Sequence, residues 1–288
     1  MSQAKAAFIK IPTGPDGFQT YPTDPARRLA DSDISIEPCV PSDAEKIAEG
    51  LYLAFPESWW DQKEPPALRP PQPIRIQRMA TRLLPSLTHP HMKWIKAVLT
   101  HTHETIGIAG WMAPSNHPSV HNIFRRSAAE HYGWRERMGW SEAAVEEMWR
   151  HTDDEEWSVR FARDDETRRD VMGGERHWYL APLVTWPGYQ GRGVGRRLLG
   201  WAMEQADRTV PVTPLYLESA PSARAVYLHC GFVPVGEYNF VRRGPGVVGR
   251  GVEGGKSAEG EEDGKVEDED KDKDEVVVER QRESDLAS

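Results

Sequence analysis

The sequence has little cysteine, no long apolar run and no surplus of positive charge. Its two cysteines, Cys39 and Cys230, cannot build a disulfide framework, and so small a count suits a reducing compartment. No apolar stretch approaches the roughly 18 residues of a membrane span. The first 30 residues carry prolines, glycines and charges rather than the apolar core of a secretory signal. The expectation is a soluble cytoplasmic protein, with the nucleus also open to it. Of 288 residues, 45 are acidic and 36 basic. That imbalance is local: residues 251–288 hold 15 Asp/Glu against 6 Lys/Arg, and the rest of the chain holds 30 of each. A neutral body offers no basic face for nucleic acid and leaves a small-molecule acceptor ahead of a highly charged one. The tail has too little apolar surface to order itself. The chain is therefore expected to divide into a mobile lead-in over 1–32, one folded domain over 33–243, and a disordered acidic tail over 244–288.

Within 33–243 the apolar pattern alternates between strand and helix periods. Residues 33–40 read as a short strand. Ser42 and Glu45 are spaced as a capping box, opening a helix that buries Ile47, Ala48, Leu51 and Ala54 and stops before Pro56. Residues 56–74, rich in Pro and Trp, are expected to form an irregular loop, followed by a helix over 76–84. Strands at 93–99 and 105–112 read as a hairpin with His101 and His103 at its tip. No Cys or carboxylate pattern completes a metal site around those two imidazoles. Residues 113–172 carry Trp134, Trp140, Trp149 and Trp157 among many charges and read as a helical insertion. These tryptophans, with Trp59 and Trp60, are expected mainly as core anchors. A strand over 177–185, a helix over 194–208, a strand over 215–218, a helix over 222–229 and a last strand over 232–241 complete the pattern. The expected class is α/β.

The most informative stretch lies between the strand ending at Thr185 and the helix beginning at Val194. It runs Pro187-Gly188-Tyr189-Gln190-Gly191-Arg192-Gly193-Val194-Gly195. Glycines there let the backbone approach a ligand closely. The N–H groups of the turn and of the helix N-terminus then face outward, with the helix dipole behind them, as a site for phosphate oxygens. A P-loop would need Gly-Lys-Ser/Thr, whereas Arg196-Arg197 follow Gly195. A dinucleotide loop would need a third glycine where Arg196 stands, although Glu218 does lie at the distance of a ribose-binding acid.

The strand Leu183-Val184-Thr185, the proline and Gln190-x-x-Gly193-x-Gly195 together resemble the central motif of the GNAT superfamily of N-acetyltransferases. Ala225-Val226-Tyr227-Leu228-His229-Cys230-Gly231-Phe232 is similar to that family's closing motif. Glu218-Ser219-Ala220 resembles the Glu-Ala-Ser of many fungal members, including small-molecule types. The resemblance implies a mixed, mostly antiparallel central sheet with a splayed strand pair, flanked by helices. It also implies acetyl-CoA as co-substrate. Leu183, Val184 and Thr185 would line the pantetheine arm, and Gln190, Gly191, Arg192, Gly193, Val194 and Gly195 would hold the pyrophosphate. Thr185 and Trp186 stand where the family often has Val and a polar residue. The implied reaction is direct transfer of acetyl to a primary amine. A silent binding module of the same fold and a protein or peptide N-acetyltransferase are the alternatives.

Acyl transfer to an amine needs a base for the amine and a proton for the departing thiolate. Tyr227 matches the family's tyrosine as acid. For the base, Glu218, His177 and Glu175 stay open, as does a chain of waters. Cys230, beside Gly231-Phe232 at a helix end, makes a poor nucleophile.

Overall fold

The computed structural model describes residues 25–115 and 120–245; the acidic tail and the first 24 residues lie outside it. The described residues begin with one-turn helices at Pro25–Arg27 and Asp31–Asp33 and enter β1 (Ile34–Pro38). Helices α1 (Ala44–Ala54), α2 (Glu57–Lys63) and α3 (Gln72–Leu83) follow, then strands β2 (Met92–Leu99) and β3 (Thr105–Met112). The insertion supplies α4 (Ala128–His131), α5 (Trp134–Met138), α6 (Glu142–Trp149) and α7 (Asp154–Met172). The last part holds β4 (Trp178–Thr185), α8 (Val194–Asp207), β5 (Leu215–Glu218), α9 (Arg224–His229), β6 (Val233–Pro234) and β7 (Asn239–Arg242).

The strands form one seven-stranded sheet in the order β1-β2-β3-β4-β5-β7-β6. Only β4 and β5 run parallel; the other neighbours pair antiparallel. This is the mixed α/β sheet the motifs predict. One layer, from α1–α3 and the insertion, packs on Tyr179, Ala181, Val184 and Tyr216. The other, from α8 and α9, packs on Trp178, Leu180, Leu215 and Leu217.

Three local expectations are corrected. Ser42 and Glu45 do not cap α1, because a 3-10 turn at Pro41–Asp43 moves the helix start to Ala44. Asp43 instead accepts from the Val40 N–H at 2.8 Å and from Lys96 Nζ at 2.8 Å. The stretch 56–74 is not an irregular loop. Pro56 serves as N-cap of α2, and Pro73 lies in the first turn of α3, where the missing N–H would have had no partner in any case. The strand expected over 232–241 is interrupted. Val235 N–H bonds back to Asn239 O at 2.9 Å, closing a turn between β6 and β7.

The tryptophans act as anchors, as expected. Trp60, Trp134, Trp149 and Trp157 are buried. The guanidinium of the buried Arg82 lies 4.3 Å from the Trp149 ring and 5.3 Å from Trp157, fastening the insertion to α3. The insertion helices carry their own stops. Ser141 accepts from Ala144 N–H at 3.2 Å and Asp153 from Glu156 N–H at 2.9 Å, while Gly173 ends α7 in the left-handed conformation. No helix among the described residues is long and apolar enough to cross a membrane.

Candidate acyl-donor and active site

Strand β4 outruns its parallel partner. Pairing with β5 ends at Leu180–Leu217, whereas pairing with β3 continues to Gly107–Thr185. A register shift opposite Ala109 and Trp111, beside Pro182, which has no N–H to donate, turns the strand there. The consequence shows in the side chains: Tyr179 and Ala181 face the α1 layer, and after the shift Val184 faces it while Leu183 packs with α8. Trp186 N–H donates to Ile106 O on β3 at 2.9 Å. Strand alternation then turns the N–H groups of Leu183 and Thr185 away from β3, into the gap where β5 has stopped pairing. This is the splay the resemblance implies.

The glycine loop closes that gap at one end. Gly191 and Gly193 have φ of 68° and 86°, and Gly193 is the N-cap of α8 with no side-chain cap. The N–H groups of residues 191–196 have no hydrogen-bond acceptor among the described residues. They point outward from the end of a 14-residue helix, a donor set with positive potential behind it. Gln190 Nε2 donates to Thr185 O at 3.1 Å, tying the loop to the strand edge. A Cβ built on Gly195 would lie 3.5 Å from Leu183 Cδ2 and 3.7 Å from Thr185 Oγ1. Leu183, Thr185, Gln190, Gly191, Arg192, Gly193 and Gly195 thus form one continuous edge, with Val194 packed into the core beneath it.

Two supports hold the loop down. Gly107 of β3 lets α8 sit on the sheet, since a Cβ there would come within 3.0 Å of both Val184 O and Val194 Cγ1. The segment before β1 crosses the loop, with Leu29 N–H bonded to Arg192 O at 3.2 Å and Arg197 Nη2 bonded to Leu29 O at 3.1 Å. The second support was not legible in the sequence, because residues 25–32 show no apolar periodicity.

The catalytic candidates separate into a pair and an outlier. Glu218 ends β5, and its Oε1 is shut off from solvent without a hydrogen-bond partner. Burial raises its carboxyl to about 8, Arg168 pulls it down, Asp164 and Asp165 push it up, and the nearby Tyr179 hydroxyl lowers it. Tyr227 on α9 is buried against Phe232 and Phe240, with ring centroids 5.9 and 6.2 Å away. Burial first, then Cys230 and Glu218, hold its phenol well above the usual range. The Glu218 carboxylate is therefore an electrostatic neighbour of the Tyr227 phenol. His177 lies before the opposite end of β4, its Nδ1 against Glu175 O at 2.6 Å and its Nε2 buried without a partner. Burial lowers its proton affinity.

A buried polar group beside Glu218 went unread in the sequence: Asn122, Asp165 and Arg168 from the insertion, and Tyr179 on β4. The Asp165/Arg168 spacing of one helical turn was its only trace, and it looks the same as a solvated ion pair.

Residues 149–234 match the acetyltransferase (GNAT) domain family, a stretch running from the end of α6 through α7, β4, the glycine loop, α8, β5 and α9 to β6. No curated protein sequence matches the chain. Among solved structures it is similar to a histone acetyltransferase HPA2 and related acetyltransferase from Corynebacterium glutamicum, at 19% identity over 74% of this chain and 97% of that one, TM-score 0.45. It is also similar to an agmatine N-acetyltransferase at 14% identity over 73% and 98%, TM-score 0.44. A mosquito arylalkylamine N-acetyltransferase like 5b gives 13% identity over 70% and 84%, TM-score 0.44. The stretch that matches the acetyltransferase (GNAT) domain family thus holds β4, the glycine loop, α8, β5 and α9, the parts that form the open strand edge and its loop.

Proposed function

We propose that this chain is an acetyl-CoA-dependent N-acetyltransferase that transfers acetyl directly to a primary amine of a small molecule. The observation that carries the reading is the open edge of β4 running into six outward N–H groups at 191–196. That edge offers backbone donors and acceptors to the amides of a pantetheine arm, and the loop offers donors to a diphosphate. Arg192, half-buried beside Tyr189 with its guanidinium 5.7 Å from the ring, adds a cation at the mouth.

Glu218 is the base in this reading. A carboxyl at about 8 has an affinity near that needed to take a proton from an ammonium at neutral pH. Tyr227 is the acid: a phenol kept protonated by burial can supply a proton to a thiolate as the C–S bond breaks. The new N–C bond forms on the amine that Glu218 has deprotonated, and solvent restores both groups. His177 is the second candidate base, set behind Glu218 by its place at the far end of β4. The acyltransferase domain spans 33–243, and the insertion 113–172 with the 54–75 segment would shape the acceptor side.

The test incubates the full chain with acetyl-CoA and a panel of amines, amino acids and peptides, following free thiol and product mass. Thiol release with small primary amines supports the proposal. Acetyl-CoA binding with no turnover on any acceptor refutes it in favour of a binding module. Turnover on peptides alone refutes the small-molecule acceptor.

A further inference from the structure

Segment 120–172 is inserted between β3 and β4, and through Asn122 and Arg168 it reaches Tyr179 of β4, the neighbour of Tyr216 on β5. Arg168, 1% exposed, lies with its guanidinium carbon 4.1 Å from the Tyr179 ring. Its Nη2 donates to Asp165 Oδ1 at 2.7 Å and to Val120 O. Its Nη1 is buried with no partner. Asp165, also 1% exposed, accepts from Asn122 N–H at 3.1 Å and from Arg125 Nη1 at 2.9 Å. The Asn122 side chain then donates to the Tyr179 hydroxyl at 2.9 Å. A phenol that accepts there keeps its own proton to give elsewhere, and Glu218, with its unpartnered Oε1, is its neighbour.

Tyr216 pairs with Tyr179 across β5 and β4, and Glu218, two residues on, shares their face of the sheet, the face on which Arg168 lies. A guanidinium N–H and a carboxylate oxygen without partners are thus carried on the same face. Leaving either unmatched in a core costs the full desolvation of that group. A merely structural ion pair would have closed on itself, as Asp165 and Arg168 already do on their other atoms. The groups whose charge or hydroxyl acts on Glu218 include Arg168, Asp164 and Asp165 from α7 and Tyr179 from β4, and its own charge acts on Tyr216 of β5 and Tyr227 of α9. Arg168 is the one cation among them.

We propose that the insertion is part of the acyl-transfer machinery: Arg168 and Asn122 are positioning residues for Glu218, Arg168 by placing its charge beside the carboxylate and Asn122 by turning the Tyr179 hydroxyl toward it. The proposal rests on Glu218 as base, and its test separates the two. In the wild type, kcat/KM falls on the acid side of a limb governed by Glu218. Removing the one cation strengthens proton binding, so Arg168→Met moves that limb to higher pH by about one unit or more, the scale of a lost opposite charge. Arg168→Lys keeps the charge and restores most of the limb's position. Asn122→Ala moves it the same way by less, with KM for acetyl-CoA unchanged because the glycine loop is untouched.

Carboxyl 13C NMR of Glu-labelled protein, with Glu218→Gln to assign the resonance, reads the same shift without turnover. It serves if Arg168→Met proves too unstable for kinetics, since Asn122→Ala and Arg168→Lys remain. Folded Arg168→Met and Asn122→Ala proteins that keep the wild-type limb and the wild-type Glu218 titration overturn the inference. Glu218→Gln retaining both rate and acid limb overturns the base assignment instead.

Discussion

The glycine loop contains two glycines that must behave in opposite ways when replaced by alanine. Gly193 caps α8 at φ 86°, and a Cβ built there meets nothing within 4 Å. The cost of Gly193→Ala is therefore torsional alone, about 1–2 kcal/mol for a left-handed residue that gains a Cβ. Gly195 lies in the first turn of α8, and its added Cβ would make ordinary contacts of 3.5 and 3.7 Å. Gly195→Ala should be neutral or should stabilise by about 0.5–1 kcal/mol, the usual preference for Ala over Gly in a helix. For a domain of this size, a difference of about 1–3 kcal/mol separates the two melting temperatures by roughly 2–12 °C. Binding sharpens the contrast. If the 193 backbone leaves its left-handed state to relieve the strain, the outward N–H groups turn with it. Acetyl-CoA affinity then drops about 5- to 30-fold, as 1–2 kcal/mol requires, while Gly195→Ala binds as the wild type does. Thermal unfolding and calorimetric titration with acetyl-CoA read both quantities. If Gly193→Ala melts and binds like wild type, the left-handed cap is not what orients the loop, and the phosphate reading loses its physical basis.

Other outcomes follow from the buried groups. Glu218 holds its proton more tightly folded, at about 8 against an ordinary 4.5, so the folded state carries the extra proton between those values. Stability linked to this group is present at low pH and is lost as pH rises through that window. Glu218→Gln should thus be more stable than wild type at pH 9, by a gap on the order of a few kcal/mol that closes near pH 4; denaturant melts across pH check it, and a constant gap would count against the raised carboxyl. Tyr227→Phe should leave stability within about 0.5 kcal/mol, since its hydroxyl has no hydrogen-bond partner among the described residues, yet lower turnover by roughly 10²-fold or more if the phenol is the acid. Unchanged turnover and pH profile in that variant would end the assignment. Gly50→Ala would set a methyl 2.5 Å from the buried Trp186 ring, costing about 1–3 kcal/mol as overpacking. Trp186→Phe in the same chain should recover part of that in an unfolding assay, and no recovery would place the strain elsewhere.

The sequence alone was enough to locate the glycine loop between β4 and α8. Gln190-x-x-Gly193-x-Gly195 after an apolar strand and a proline is a local device, built from backbone torsions and a helix terminus, so its meaning survives without the rest of the fold. Strands β3 and β5 appear with the predicted bounds for the same reason: their alternation is written in consecutive residues. Prolines misled at 56–74, where they start helices rather than break them. The tertiary structure decided where the charged insertion packs. Asn122, Asp165 and Arg168 are polar residues in a segment whose pattern resembles a solvated surface, and only packing α7 against Tyr179 shuts them from water. Burial is a property of what lies opposite a residue, and that is set by contacts many residues away in the chain. For the same reason Glu218 was legible as a candidate but not as a perturbed one. Its raised carboxyl comes from the layer folded over it, which the order of residues around it does not contain.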